Sequence, residues 1–195
     1  MEEPKISTKP ITENRSSYRG WVAREGIPII EGFFIEDIRK VPVEPWERTG
    51  GLTARICLEG TGETNDAYVC EIPPGKALKP QRHLFEELIY IVSGRGATTV
   101  WNDAGSKHTF EWQEGSVFSP PLNSWYQHFN GDGAEPARYL AVTTAPCMIN
   151  LLHNTISYSI VTTSLPIVST PRRTILTALA LGTLEELGRQ TSLLT

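Results

Sequence analysis

The chain has 195 residues, which suits one domain of ordinary size and leaves two cramped. Hydrophobic residues at 39% and charged residues at 21% exclude disorder throughout, while 16 Gly, 14 Pro and five Trp favour a turn-rich β architecture over a helical bundle. A formal charge of −4 supplies no basic face for phosphates, so nucleic acid is excluded as the main partner and a small molecule is expected.

Residues 1–20 are polar, with little apolar periodicity, and read as a flexible N-terminal arm. From Trp21 to about His153 the pattern is that of one folded domain. Ile27-Pro28-Ile29-Ile30 and Phe33-Phe34-Ile35 are short apolar runs broken by Gly26 and Gly32. They are expected to be arm strands packing across a sheet or against a second subunit, which makes a homodimer the expected assembly. Strand-like segments then repeat at roughly 8–12 residues, with turn residues between them. They lie at 55–58, 67–72, 88–92, 97–101, 109–112, 117–118, 125–129 and 138–142. Such spacing indicates an all-β antiparallel sandwich or barrel.

After His153 the composition shifts, and 154–195 read as a C-terminal extension rich in Ser, Thr, Leu, Ile and Val. Within it 174–187 place Ile175, Leu176, Leu179 and Leu187 near one face of a helix, which Gly182 and several threonines weaken. This is either a docking helix or an addition unrelated to the functional unit. The N-terminus lacks the apolar core of a signal peptide, and the longest apolar stretch, 175–184, falls short of the ~20 residues a bilayer demands. Cys57, Cys70 and Cys147 form no CxxC pair. Together these features read as a cytoplasmic protein with no membrane segment and reduced, buried thiols; Cys57 and Cys70 facing each other across a hairpin is the alternative.

The chemistry concentrates in two stretches: Gly75 to Gly94, containing Pro80-Gln81-Arg82-His83 and Glu86-Glu87, and Pro121 to Asn130, containing Trp125-Tyr126-Gln127-His128. In an extended strand residues i and i+2 share a face, so Gln81 and His83 are expected to point inward and Arg82 away. By the same rule Tyr126 and His128 share a side. Glu87 is the better-placed interior carboxylate and Glu86 the exposed one. His108 and His153 read as surface residues, Trp101, Trp112 and Trp125 as core or pocket wall. Arg55 and Arg138 read as surface cations, with an anionic substrate as the alternative partner.

These stretches resemble the two motifs of the cupin superfamily. In the first, Gly75, Pro80, His83, Glu87 and Gly94 stand at the motif positions, with Gln81 where the first His is usual; in the second, Pro121 and Asn130 match, with Asn123 in place of Gly and Tyr126 in place of the ligand His. The 125–130 segment also resembles that of gentisate-dioxygenase-like cupins. The resemblance covers about residues 60 to 150 and implies a single jelly-roll barrel (a double-stranded β-helix). It also implies a four-ligand site, here Gln81, His83, Glu87 and Tyr126, with His128 as a further imidazole. The implied cofactor is a divalent metal (Fe, Mn, Ni or Zn) held by Gln81, His83, Glu87 and His128. An amide oxygen is a weak ligand and a phenol must lose its proton to bind, so affinity should fall below that of a three-His site.

Three functions follow. The favoured one is a metal-dependent oxygenase, decarboxylase or lyase acting on a small organic acid, phenol or polyketide-like compound. The second is a metal-free isomerase, dehydratase or cyclase in which His83 and Tyr126 act as base and acid and Glu87 orients His83. The third is a non-catalytic ligand-binding module.

Overall fold

The computed structural model describes residues 5–7 and 16–153. The expected helix at 174–187 lies outside the described residues, with the rest of 154–195. Two sheets carry the fold. The larger runs in the order β1 (Lys5–Ser7), β2 (Ile29–Gly32), β4 (Leu52–Leu58), β5 (Asp66–Ile72), β11 (Ala137–Thr143), β6 (Glu87–Ser93) and β9 (Val117–Phe118), with β3 (Glu44–Pro45) pairing β4. The smaller runs β10 (Trp125–Asn130), β7 (Arg95–Trp101), β8 (Lys107–Gln113). This is a jelly-roll-like arrangement, as expected, although among the described residues the two sheets do not join into one continuous closed ladder.

Alternation builds the interior. On β11 the buried residues are Ala137, Tyr139, Ala141 and Thr143, and on β6 they include Glu87, Ile89 and Ile91. Side chains of one strand alternate between faces, so these line one core with Tyr68, Cys70 and Ile72 of β5. On β10 the inward set is Tyr126, His128 and Asn130. Three polar residues on the buried face of one strand must each find a partner, and this marks the interior as more than packing.

Two motif turns have plain backbone reasons. Gly94 has φ +85°, and a Cβ there would stand 2.8 Å from the Ala137 Cα, so the β6–β7 turn excludes a side chain. Asn123, where the resembled motif has Gly, has φ 59°, a left-handed conformation Asn tolerates better than most residues.

The apolar run after Gly26 is used by the chain itself. Ile27, Ile29 and Ile30 are buried, and β2 pairs in parallel with β4, whereas Phe33 is 75% exposed. Two short helices were not expected. The first, α1 (Ser17–Arg24), is capped by the Ser16 side chain, which accepts from the Arg19 N–H. Its Tyr18, Trp21 and Val22 pack with Ile29, Cys57 and with Ala145 and Ile149 of α2 (Ala145–Leu152). Cys57 and Cys70 are buried free thiols and not cross-strand partners, since Cys70 stands opposite Thr53. No helix among the described residues is long and apolar enough to cross a membrane.

Candidate active site

The stretch before β6 runs beside β10 without becoming a regular strand. Leu78 N–H donates to the His128 carbonyl, Gln81 and Tyr126 exchange backbone hydrogen bonds at 2.9 Å in both directions, and Asn123 N–H donates to the His83 carbonyl. These bonds carry His83 to Tyr126, while β6 begins at Glu87 directly beneath them.

The three side chains meet. The Tyr126 hydroxyl donates to Glu87 Oε2 at 2.7 Å and lies 2.8 Å from His83 Nε2. Glu87 Oε2 is 3.7 Å from His83 Nε2, and its Oε1 accepts from the Tyr68 hydroxyl. His83 Nδ1 sits 2.8 Å from the Phe85 carbonyl, and since a carbonyl only accepts, Nδ1 carries a proton. The Phe85 ring stacks on the imidazole at 3.7 Å. Proton placement at the remaining nitrogen is therefore tied to the phenol. When Tyr126 donates to Glu87, Nε2–H donates to the phenolic oxygen and His83 is an imidazolium; when Tyr126 donates to Nε2, His83 is neutral.

Electrostatics favour the charged carboxylate. Burial alone would push Glu87 up, but the His83 hydrogen bond and charge, with the Tyr68 and Tyr126 hydroxyls, outweigh it and hold Glu87 at about 2. Burial, followed by the adjacent Glu87 charge, pushes the Tyr126 phenol well above its ordinary value. Tyr126 is thus a phenol that carries a proton and not a phenolate.

A cavity of about 250 Å³ opens onto this cluster. Its wall includes Gln81, His83, Glu87 and Tyr126, the aromatic rings of Trp21, Trp46, Tyr68, Phe85 and Trp125, and three arginines, Arg48, Arg55 and Arg82. The volume lies at the low end for ligand pockets and admits a small molecule only.

Several sequence expectations change here. Arg82 does not point away: its side chain is 7% exposed and faces the cavity wall, bound to Asn123 and Asp103. Residues 82–86 are not in a strand, so the i, i+2 rule does not apply to them. Gln81 turns its amide N–H groups to the Arg48, Lys79 and Pro80 carbonyls. His128 faces inward beside Tyr126 but stands outside the cavity wall, its Nδ1 2.8 Å from the Thr98 hydroxyl. Burial pushes His128 down to about 4, so it is neutral. Arg55 is no surface cation: it is buried and paired at 2.8 Å with buried Asp66. Tyr68 carries no motif signal, although its period-two placement with Cys70 and Ile72 puts its hydroxyl inside.

Most of the donor atoms proposed for a metal already have protein partners, although the buried His128 Nε2 has none. Both His83 nitrogens, both Glu87 oxygens and the Tyr126 hydroxyl have protein partners, and His128 is turned to Thr98. Among the described residues no group of three or more His, Cys, Asp or Glu could hold a metal ion. As arranged, the set Gln81, His83, Glu87 and His128 does not fit a first-row divalent ion.

Residues 68–143 match the Cupin domain family model, and this part of the chain is a cupin domain. Similar solved structures include Lactobacillus farciminis oxalate decarboxylase in complex with formate, at 27% identity and TM-score 0.47, covering 56% of this chain and 32% of that one. The cupin domain of Schizosaccharomyces pombe Cnp3 is 19% identical with TM-score 0.47, covering 60% of this chain and 77% of that one. Oxalate decarboxylase from Bacillus subtilis, a protein with Mn(II) centres, is 23% identical with TM-score 0.45, covering 57% and 33%. The chain spans about a third of the length of these two decarboxylases. No curated protein matches the sequence.

Proposed function

We propose that the cavity is the active site of a metal-independent acid–base enzyme, which moves a proton at carbon in a small molecule by isomerisation, dehydration or a lyase step. The observation that supports this most is the continuous set of contacts from His83 through the Tyr126 hydroxyl to Glu87 on the cavity wall.

The chemistry balances without an oxidant. The step starts from the arrangement in which His83 is neutral and the Tyr126 hydroxyl donates to its Nε2: a proton leaving a carbon next to a carbonyl passes to the Tyr126 oxygen as the phenolic proton passes to His83 Nε2, and the C–H electron pair moves to the carbonyl oxygen as an enolate. The imidazolium so formed is neutralised by Glu87 at 3.7 Å. The reverse transfer returns the proton to the same or a neighbouring atom. His83 is the base, Tyr126 the group that touches substrate, and Glu87 the charge that holds the imidazolium.

The test is solvent exchange. Chelator-treated protein is incubated in D2O with pyruvate, acetoacetate or dihydroxyacetone, and carbon-bound deuterium is read by mass spectrometry. Incorporation that is lost in His83→Asn and indifferent to the chelator is expected. Exchange that appears only with added Fe, Mn, Ni or Zn would replace this reading with the metal-dependent one.

A further inference from the structure

Arg55 is a buried cation with an unused donor. Its side chain is 2% exposed, yet it forms part of the cavity wall. The guanidinium lies over three rings, its Cζ 4.8 Å from the centroid of Trp21, 5.4 Å from that of Trp46 and 5.1 Å from that of Tyr68. One edge is in use, because Nη1 donates to Asp66 Oδ2 at 2.8 Å. Asp66 is itself held by the Tyr18 and Thr143 hydroxyls, so its carboxylate is fixed in place. The Nε–H is buried and donates to nothing. An unused buried donor on a charged group is costly, and the Nε–Nη2 edge of a guanidinium matches the two oxygens of a carboxylate.

We propose that this edge of Arg55 anchors a carboxylate, and that the cavity takes small organic carboxylates whose apolar body lies against Trp21 and Trp46. Charge agrees with this. Arg48 and Arg82 share the wall, and Glu87 is its only carboxylate among the described residues, whereas the acids paired with the arginines stand outside it. Tyr68 links anchor to chemistry: its ring lies beneath Arg55 and its hydroxyl donates to Glu87. Anchoring at Arg55 deepens the acid–base reading and rests on it for what happens to the bound acid, but binding itself requires no turnover.

The probe is benzoate, with benzyl alcohol as its uncharged counterpart, titrated calorimetrically into the full-length protein. Benzoate should bind at least about tenfold tighter than benzyl alcohol, and Arg55→Lys, which keeps the charge beside Asp66, should remove that preference. In the unaltered protein the Arg55 Nε–H resonance should shift with benzoate and not with benzyl alcohol, a readout that does not depend on any variant folding. Equal binding of the two probes, or an unmoved Arg55 resonance, would overturn the anchor. Deuterium exchange in a protein indifferent to benzoate would sink the anchor alone; benzoate binding without exchange would uphold the anchor and sink the acid–base reading.

Discussion

Tyr126 stands where the resembled motif has a metal-binding imidazole, and its hydroxyl lies 2.8 Å from His83 Nε2. The same hydroxyl donates to Glu87, so one phenol joins a base to a buried carboxylate. A second imidazole at that position would present a lone pair to a metal; the phenol presents a proton to its neighbours.

Removing that hydroxyl should separate chemistry from packing. In Tyr126→Phe the ring that meets His83 edge-on at 5.5 Å is kept, while the path between His83 and Glu87 is cut. Deuterium incorporation should fall by about 10² or more. Stability in urea should drop by about 1.5–3 kcal/mol, the value of a hydrogen bond to a charged group. An unchanged exchange rate would remove Tyr126 from the mechanism.

Acid should unfold the protein in two separable steps. His128 has its folded value depressed from 6.5 to about 4, so the unfolded chain binds its proton first; stability is full above about 6.5 and declines as pH falls toward 4. That difference corresponds to about 3 kcal/mol. Glu87 is depressed from 4.5 to about 2, so its contribution is present above about 4.5 and disappears as pH falls through 2. Urea midpoints taken across this range should lose the first decline in His128→Phe and the second in Glu87→Gln. A single shared decline in both variants would contradict the separation.

The buried pair of Arg55 and Asp66, 2% and 1% exposed, is a point of fragility. Asp66→Asn leaves the guanidinium uncompensated and should cost about 3–5 kcal/mol. The urea midpoint should fall with little change in slope. A loss below about 1 kcal/mol would show that the aromatic rings and cavity already satisfy the cation.

Gly96 has no room for a side chain. A Cβ there would stand 2.0 Å from the Phe129 carbonyl oxygen and 2.5 Å from the Trp112 ring. Gly96→Ala should cost more than about 3 kcal/mol or prevent folding. Gly60→Ala, with nothing within 4 Å of the new atom, should unfold near the original temperature.

The fold was legible because strands such as β10 and β11 alternate between buried and more exposed residues and the turns between strands are glycine-marked. His83, Glu87 and Tyr126 could be read from motif spacing, since the motif records which positions converge. Arg82 could not, because the period-two rule assumes a regular strand and 82–86 are not one. Arg55 was illegible for another reason: a lone arginine in a strand reads as exposed until its partner is known, and Asp66 lies on the next strand of the hairpin. The first helix was masked by its polar surroundings, although Tyr18, Trp21 and Val22 already stand at i, i+3 and i+4.

The most direct measurement is the ring-nitrogen spectrum of His83 in 15N-histidine-labelled protein, recorded before and after one equivalent of Mn(II). A protonated Nδ1, an Nε2 whose shift moves in Tyr126→Phe, and no selective broadening by Mn(II) are predicted. Stoichiometric broadening of the His83 signals would show that the imidazole is a metal ligand and that the phenol is not its proton partner.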